Sequence, residues 1–437
     1  MPRTPAQASP NLEILLDGAR NSYRAGDTIS GRVSRIAPLV ASHARLSIQL
    51  CGRTKSRMTV SRGQGGTSTY RGRFNLFNSE RHKQDLFDGP IHIEADGGSR
   101  DWGFALTVPS GPDPSAVIAG NDQKFSYLPL GHPDIRTHSL PPVFYMSGIF
   151  INTTYHCFVE YFLEAKLHIS AAGGDEQVQR AVVLLSILPS STPDFLTEFQ
   201  LTKHSFLCRI STYRFTHGGE SGGLSLGQKT REFFGSSKVP QFTFSLQVEH
   251  PVVLQVENSI SVPFRLLVLP DYDQTSEAIR DSPHTVTLTS MTFEIKASTN
   301  LICRGTLSPH TADQTRKVGA DLKSAIGQCH EPIVLPSGDK AEPLDVGDLL
   351  QLNLTSLIPR GIRAFSKRQT ERLYPSFTTY NIKHAHKLKW TLTLMAAGVT
   401  TEVSSEVDLT LLPGQLGELP PYEENEELPP PVEKKEG

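Results

Sequence analysis

The chain has 437 residues, 38% apolar and 20% charged, with a formal net charge of −2. That is long enough for two or three domains of ordinary size and apolar enough for packed cores. A charge so close to neutral does not suit a nucleic-acid binder, whose domain should be clearly basic, and no stretch reaches the roughly 20 continuous apolar residues of a membrane-spanning helix. Cys51, Cys157, Cys208, Cys303 and Cys329 are odd in number and form no CxxC pair. This argues against a zinc site or a disulfide framework and for a reducing compartment. The opening MPRTPAQASP lacks the apolar core of a signal peptide, so the sequons at Asn152 and Asn353 read as chance and the expected setting is the cytoplasm.

From the N-terminus onward the dominant period is two, the signature of half-buried strands. ARLSIQL places Leu46, Ile48 and Leu50 on one face. The clearest case is CFVEYFLEAKLHIS, with Cys157, Val159, Tyr161, Leu163, Ala165, Leu167 and Ile169 on one side. Its other side, Phe158, Glu160, Phe162, Glu164, Lys166, His168 and Ser170, is expected to be mostly wet. Residues 171–177, AAGGDEQ, then lead into the apolar run AVVLLSILP, which reads as a bridge between domains. Beyond it the same alternation recurs in FTFSLQV (Phe242, Phe244, Leu246, Val248) and MTFEIKA (Met291, Phe293, Ile295). It recurs again in LLQLNLTSL (Leu350, Leu352, Leu354) and HKLKWTLTLM (Leu388, Trp390, Leu392, Leu394). Turn signals such as AGDT, SRGQGG, DGP, ADGG and LPSGD separate these runs.

Helix candidates are short, at 276–280 and 361–372, too short to anchor a βαβ unit. Many antiparallel strands with regular turns imply an all-β fold of immunoglobulin-like sandwiches. About 400 residues of such pattern exceed one sandwich, which places two in tandem: residues 10–176, residues 177–412, and a tail at 413–437.

Within the first of these, CGRTKSRMTVSRGQGGTSTYRGRF carries Arg53, Lys55, Arg57, Arg62, Arg71 and Arg73 over one hairpin with no acidic residue between them. Arg53, Lys55 and Arg57 alternate and so project from one strand face. Such a hairpin is either a solvated surface or a contact for anionic lipid or for an acidic or phosphorylated cargo segment, by charge complementarity.

Catalytic signatures fail one by one. Gly219-Glu220-Ser221-Gly222-Gly223 satisfies G-x-S-x-G, but a nucleophile elbow needs a strand before it and a helix after it in an α/β sheet. Here GLSLGQKT follows and reads as a polar linker. The same segment approaches a P-loop, with Gln228 where the phosphate-binding Lys belongs. The 15 histidines form no H-E-x-x-H motif. His384 and His386, flanked by Lys383 and Lys387, read as an exposed strand face. No catalytic residue, metal ligand or cofactor is expected.

The tail GELPPYEENEELPPPVEKKEG belongs to a segment, 413–437, with seven Glu, two Lys and six Pro. It carries −5 of the chain's charge, which leaves about +3 for residues 1–412. So few apolar side chains cannot offset the entropy of ordering the backbone, and the sequence predicts disorder here. Its function is either to solubilise the chain or to dock as a peptide.

Local motifs resemble those of the arrestin family, in its fungal-type alpha-arrestin branch. YRAGDTISGRV, residues 23–33, is similar to the Y-x-x-G-(D/E)-x-(I/V)-x-G-x-(V/I) segment of arrestin N-domains. SLPPVFYMSG followed by TTYHCFVEYFLEAKL resembles the L-P-P-S-F stretch and its long strand, with Val143 where Ser is usual. YNIKHAHKLKWTLTL, residues 380–394, is similar to a strand pair of arrestin C-domains. The resemblance spans roughly residues 10–412 and implies two arrestin-like sandwiches in a non-enzymatic adaptor. It also implies that Leu419, Pro420, Pro421 and Tyr422 form a PY motif of the L-P-x-Y type, docking on WW domains of a HECT-type ubiquitin ligase. Prolines pre-set the extended helix such domains read, so little entropy is lost on binding. The implied cargo is the cytoplasmic segment of a membrane transporter or receptor, with transient recruitment to plasma membrane or endosomes. The alternative is a ligase-independent trafficking scaffold of the arrestin or retromer-subunit type.

Overall fold

Alternation becomes strand along most of the chain. The computed structural model describes residues 4–18, 22–62, 66–77, 80–95, 98–170, 176–188, 196–216, 224–235, 238–354 and 373–414. The first half contributes β1 (Glu13–Leu16), β2 (Ser22–Arg24), β3 (Thr28–Arg35), β4 (Leu39–Ser61), β5 (Thr67–Asn75), β6 (Lys83–Ile93), β7 (Arg100–Thr107), β8 (Phe144–Phe150), β9 (Thr153–Ser170) and β10 (Glu176–Leu188). These form a three-stranded sheet, β1-β3-β7, and a seven-stranded sheet ordered β2-β10-β9-β4-β5 with β6 on β4 and β8 on β9. The apolar faces of both sheets share one core, in which Ile29, Val33 and Phe104 of the smaller sheet meet Leu46, Ile48 and Leu163 of the larger.

The second half contributes β11 (Leu201–Ser211), β12 (Gln241–Pro251), β13 (Val253–Gln255), β14 (Arg265–Pro270), β15 (Thr287–Cys303), β16 (His310–Asp321), β17 (Ile333–Val334), β18 (Leu344–Asp345), β19 (Phe377–Thr378), β20 (Ile382–Ala396) and β21 (Val399–Leu412). Here a four-stranded sheet, β11-β12-β14-β18, opposes a seven-stranded sheet ordered β13-β21-β20-β15-β16, with β17 on β15 and β19 on β20. The protein is all-β, built of two packed-sheet units. Helices are short: α1 (Pro114–Ile118), α2 (His132–Ile135), α3 (Leu226–Phe233), α4 (Lys323–Gly327) and α5 (Val346–Leu349). No helix among the described residues is long and apolar enough to cross a membrane.

Strand length explains the branched sheets. At about 3.3 Å per residue, the 23 residues of β4 extend for roughly 75 Å, far more than a usual neighbouring strand covers. Two strands therefore lie end to end on the same flank: β6 pairs residues 39–49 and β5 pairs residues 53–61. On the opposite flank β9 runs alongside β4 from His43↔Ser170 to Val60↔Thr153. The β20–β21 hairpin closes through Ala397 and Gly398, at φ of 46° and 72°. Two positive φ values make the tight turn whose twist matches paired strands, and glycine supplies one of them without strain.

Several expectations need correction. The run AVVLLSILP does not bridge the domains; within β10 it pairs antiparallel with β9 and parallel with β2, so the first sandwich extends through Leu188. The described part of LLQLNLTSL, 349–354, is not a strand: it begins on the last residue of α5, and only an isolated bridge, Asn258↔Leu354, forms there. Leu352 and Leu354 are core side chains at irregular backbone, with Leu350 packed against the same core, and alternation alone cannot distinguish this from a strand. GLSLGQKT is not a linker throughout, because Ser225 and Gln228 form a reciprocal capping box that starts α3. Of the two helix candidates, 276–280 is a single 3-10 turn, Glu277–Ile279, and 361–372 lies outside the described residues.

Candidate functional site: the basic hairpin and the joint between sandwiches

The basic hairpin is the β4–β5 pair, with Arg53 opposite Asn75, Lys55 opposite Arg73 and Arg57 opposite Arg71. Because the side-chain period is two, these cations share one face while Thr54, Ser56 and Met58 take the other. The two faces have different fates.

At its base, the charged face is occupied from within the chain. Glu160 on β9, only 5% exposed, receives the Arg53 guanidinium at Oε1 and lies 3.9 Å from the Lys55 ammonium. Its carboxylate also accepts the backbone N–H of Thr4 at 2.9 Å and the Thr4 hydroxyl at 3.1 Å. On either side of Glu160, Phe162 lies 5.1 Å beneath Arg53 and Phe158 lies 5.4 Å beneath Lys55. The cations thus cover both phenyl rings with their stems and attract them as cation–π partners. Burial, and next the neighbouring Arg53, pulls the Lys55 ammonium down to about 8. The outer face of β9, expected to be wet, is therefore buried at Phe158, Glu160, Phe162 and Glu164.

Three other cations of the hairpin are freer. Arg62 is exposed and donates to the Tyr70 hydroxyl at 3.2 Å. Arg73 is exposed and donates to Asn75 at 3.0 Å, and Arg71 is exposed on the terminal strand of the sheet. The six cations of the hairpin thus divide into an inward pair held by Glu160 and an outer group nearer to solvent, with Arg57 half-buried between them.

The opposite face of the hairpin meets the second sandwich. Asn381, 0% exposed, accepts the Thr54 hydroxyl at 2.6 Å and donates to Ser56 Oγ at 2.9 Å. The Ser56 hydroxyl donates in turn to the carbonyl of Ile302. Gly72 permits this approach: a Cβ there would stand 2.5 Å from Ser56 Oγ and 2.8 Å from the Ile302 carbonyl. The strands themselves touch at the bridge Arg71↔Arg304, where the Arg304 N–H donates to the Arg71 carbonyl at 3.0 Å. Around this polar knot Tyr380 stacks on Phe74 at 5.1 Å, and Phe144 is ringed by Tyr374, Phe377 and His384 at 4.9–5.0 Å. Leu301, Cys303, Tyr380 and Ile382 of the second half belong to the core of the first.

His384 and His386 sit at this joint and are not an exposed face, being 6% and 3% exposed. They share the parity of Leu388 and Trp390 along β20, so they point inward, and the flanking lysines obscured that signal. His384 Nδ1 lies 2.7 Å from Thr299 Oγ1, and His386 Nδ1 lies 2.8 Å from Ser376 Oγ. Burial holds both rings far below the ordinary histidine range, at about 3 and about 4.

Nucleophiles and metal ligands do not assemble among the described residues. Burial pushes the thiols of Cys51, Cys208 and Cys303 up to about 12, about 11 and about 11, so these three are not thiolates at neutral pH. No group of three His, Cys, Asp or Glu side chains there is placed to hold a metal ion. Ser221 and the motif Leu419-Pro420-Pro421-Tyr422 lie outside the described residues. No protein-family model matches this chain, and no curated protein matches it significantly.

Proposed function

We propose that the chain is a non-enzymatic adaptor of the arrestin type: the paired sandwiches hold a cytoplasmic segment of a membrane transporter or receptor, and the tail brings a HECT-type ubiquitin ligase to it through WW domains. One observation carries the reading. A body of two tandem sandwiches, whose motifs at 23–33 and 140–165 resemble arrestin segments, is joined to a tail containing Leu419-Pro420-Pro421-Tyr422. The prolines favour the extended helix that an aromatic-lined groove accepts, and the Tyr422 hydroxyl remains available for a hydrogen bond. A tethered ligase then acts at high effective concentration on lysines of the bound cargo. Arg62, Arg71 and Arg73 are the hairpin cations with most freedom to meet an acidic cargo segment or an anionic membrane.

The test is binding of the full chain to isolated WW domains of such a ligase, measured by fluorescence anisotropy beside Tyr422→Ala. Binding lost in the variant supports the adaptor. Equal binding, or none by either form, removes the ligase from the reading and leaves a trafficking scaffold.

A further inference from the structure

A cavity of about 400 Å³ opens where the two sandwiches meet, between the edge of β5, the turn after α1 and the end of β15. Three arginines line it: Arg71 and Arg73 from the first sandwich and Arg304 from the second. Among the described residues no acidic side chain contributes to its wall. Arg71 makes no side-chain hydrogen bond or ion pair among the described residues, and Arg73 has only the neutral Asn75 as a hydrogen-bond acceptor. Arg304 is oriented by the Gly120 carbonyl at 3.1 Å and stands 5.6 Å over the Phe125 ring. The floor is apolar, formed by the buried side chains of Phe74, Phe125 and Ile302.

Three permanently charged arginines from both sandwiches line this concave surface, and the carboxylate that acts on Arg73, Glu160, is already engaged by Arg53 on the adjacent strand. Like charges brought together in this way favour an anion between them. Guanidinium forks match the paired oxygens of phosphate groups. The volume lies in the range of small-ligand sites, and a concave cleft cannot lie flat on a bilayer.

We propose that this cleft binds a compact phosphate-bearing small molecule, held by Arg71, Arg73 and Arg304, which links the two sandwiches by neutralising cations from both. The site shares Arg71 and Arg73 with the cation group offered above to cargo or membrane, but its binding needs neither ligase nor cargo.

The probe is sodium pyrophosphate, titrated calorimetrically into the full chain at constant ionic strength, with thermal unfolding followed in parallel. Saturable binding and a raised Tm are expected. Arg71→Gln should weaken binding by at least about tenfold, as for loss of one charge-assisted contact. Arg304→Gln should do the same from the other sandwich. Arg62→Gln, at the hairpin tip outside the cleft, should leave binding unchanged. Arg71→Gln is the decisive variant, since its side chain makes no hydrogen bond or ion pair among the described residues and a loss there is not a loss of structure. Absence of saturable pyrophosphate binding, or binding indifferent to Arg71→Gln, overturns the proposal. Binding to phosphoinositide vesicles or to a phosphoserine peptide, with none to free pyrophosphate, overturns it as well and assigns the arginines to a macromolecular surface.

Discussion

The two sandwiches repeat one plan. In each, a very long antiparallel pair forms the spine, β4 with β9 in the first and β15 with β20 in the second. Each spine carries two strands end to end on either flank, and a short strand adds in parallel at one edge, β2 on β10 and β13 on β21. The difference lies on the outer face of the spine. Along β20 the alternation is clean, with inward Leu388, Trp390 and Leu392 buried and outward Lys383 and Lys387 exposed. Along β9 nine consecutive residues, Cys157–Ala165, are buried on both faces. The same strand pattern thus hosts a solvated face in one sandwich and a covered ionic layer in the other. A period of two identifies the inner face; whether the outer face is wet depends on what packs over it.

The comparison breaks most visibly at Glu160. Replacing it by Gln leaves Arg53 and Lys55 without their counter-charge, and such losses cost about 3–5 kcal/mol. Urea unfolding should show this as a clear fall in midpoint; a change under about 1 kcal/mol would mean that the ionic layer is solvated after all.

Next in size is the joint. Asn381→Ala strips partners from Thr54 and Ser56, both buried, and unmade buried hydrogen bonds of this kind cost about 1–3 kcal/mol. Amide exchange should rise at the 54–56 and 301–303 segments together if the knot couples the sandwiches. Exchange confined to one of them would separate the two units.

A pH series sharpens the contrast further. His384 and His386 have folded values of about 3 and about 4, below the ordinary 6.5. Their contribution is therefore fully present above pH 6.5 and is lost as pH falls toward 4, by up to about 1.4 kcal/mol per pH unit for each ring. His386→Gln should flatten that acid limb of the stability curve. Lys55, lowered to about 8, acts in the opposite range: its burial is least favourable below pH 8, and stability gained through it rises between pH 8 and 10.5.

The smallest effect belongs to the solvated face. Glu406 meets Lys296 and Lys387 on the outer side of the second spine, 3.5 Å from the latter. Glu406→Gln should cost only about 0.2–1 kcal/mol, and less in high salt. A cost matching that of Glu160→Gln would erase the distinction between the two faces.

Much of the architecture is legible in the linear chain. Thirteen alternating residues at 157–169 suffice to place a long strand, because a one-residue slip would turn every apolar side chain outward. The inward parity of His384 and His386 is legible too, once they are read with Leu388 and Trp390 and not with the lysines beside them. The hairpin's cations are likewise a local sequence fact. Their pairing is not, since Glu160 lies 107 residues from Arg53 and nothing local connects them. The limit of the first sandwich behaves similarly: AVVLLSILP is apolar whether it bridges domains or fills an edge, and only its register against β9 decides.

By itself, then, the sequence determined most of the long strands, their inner faces, the all-β plan and the position of a proline-rich peptide motif, because periodicity and turn chemistry act between near neighbours. Tertiary structure alone decided which cations are neutralised, that Asn381 knots two sandwiches together and that Arg304 joins Arg71 and Arg73 around one cleft. Charge pairing and interface packing depend on distances through space between residues far apart in the chain, and those distances are set only when the sheets pack.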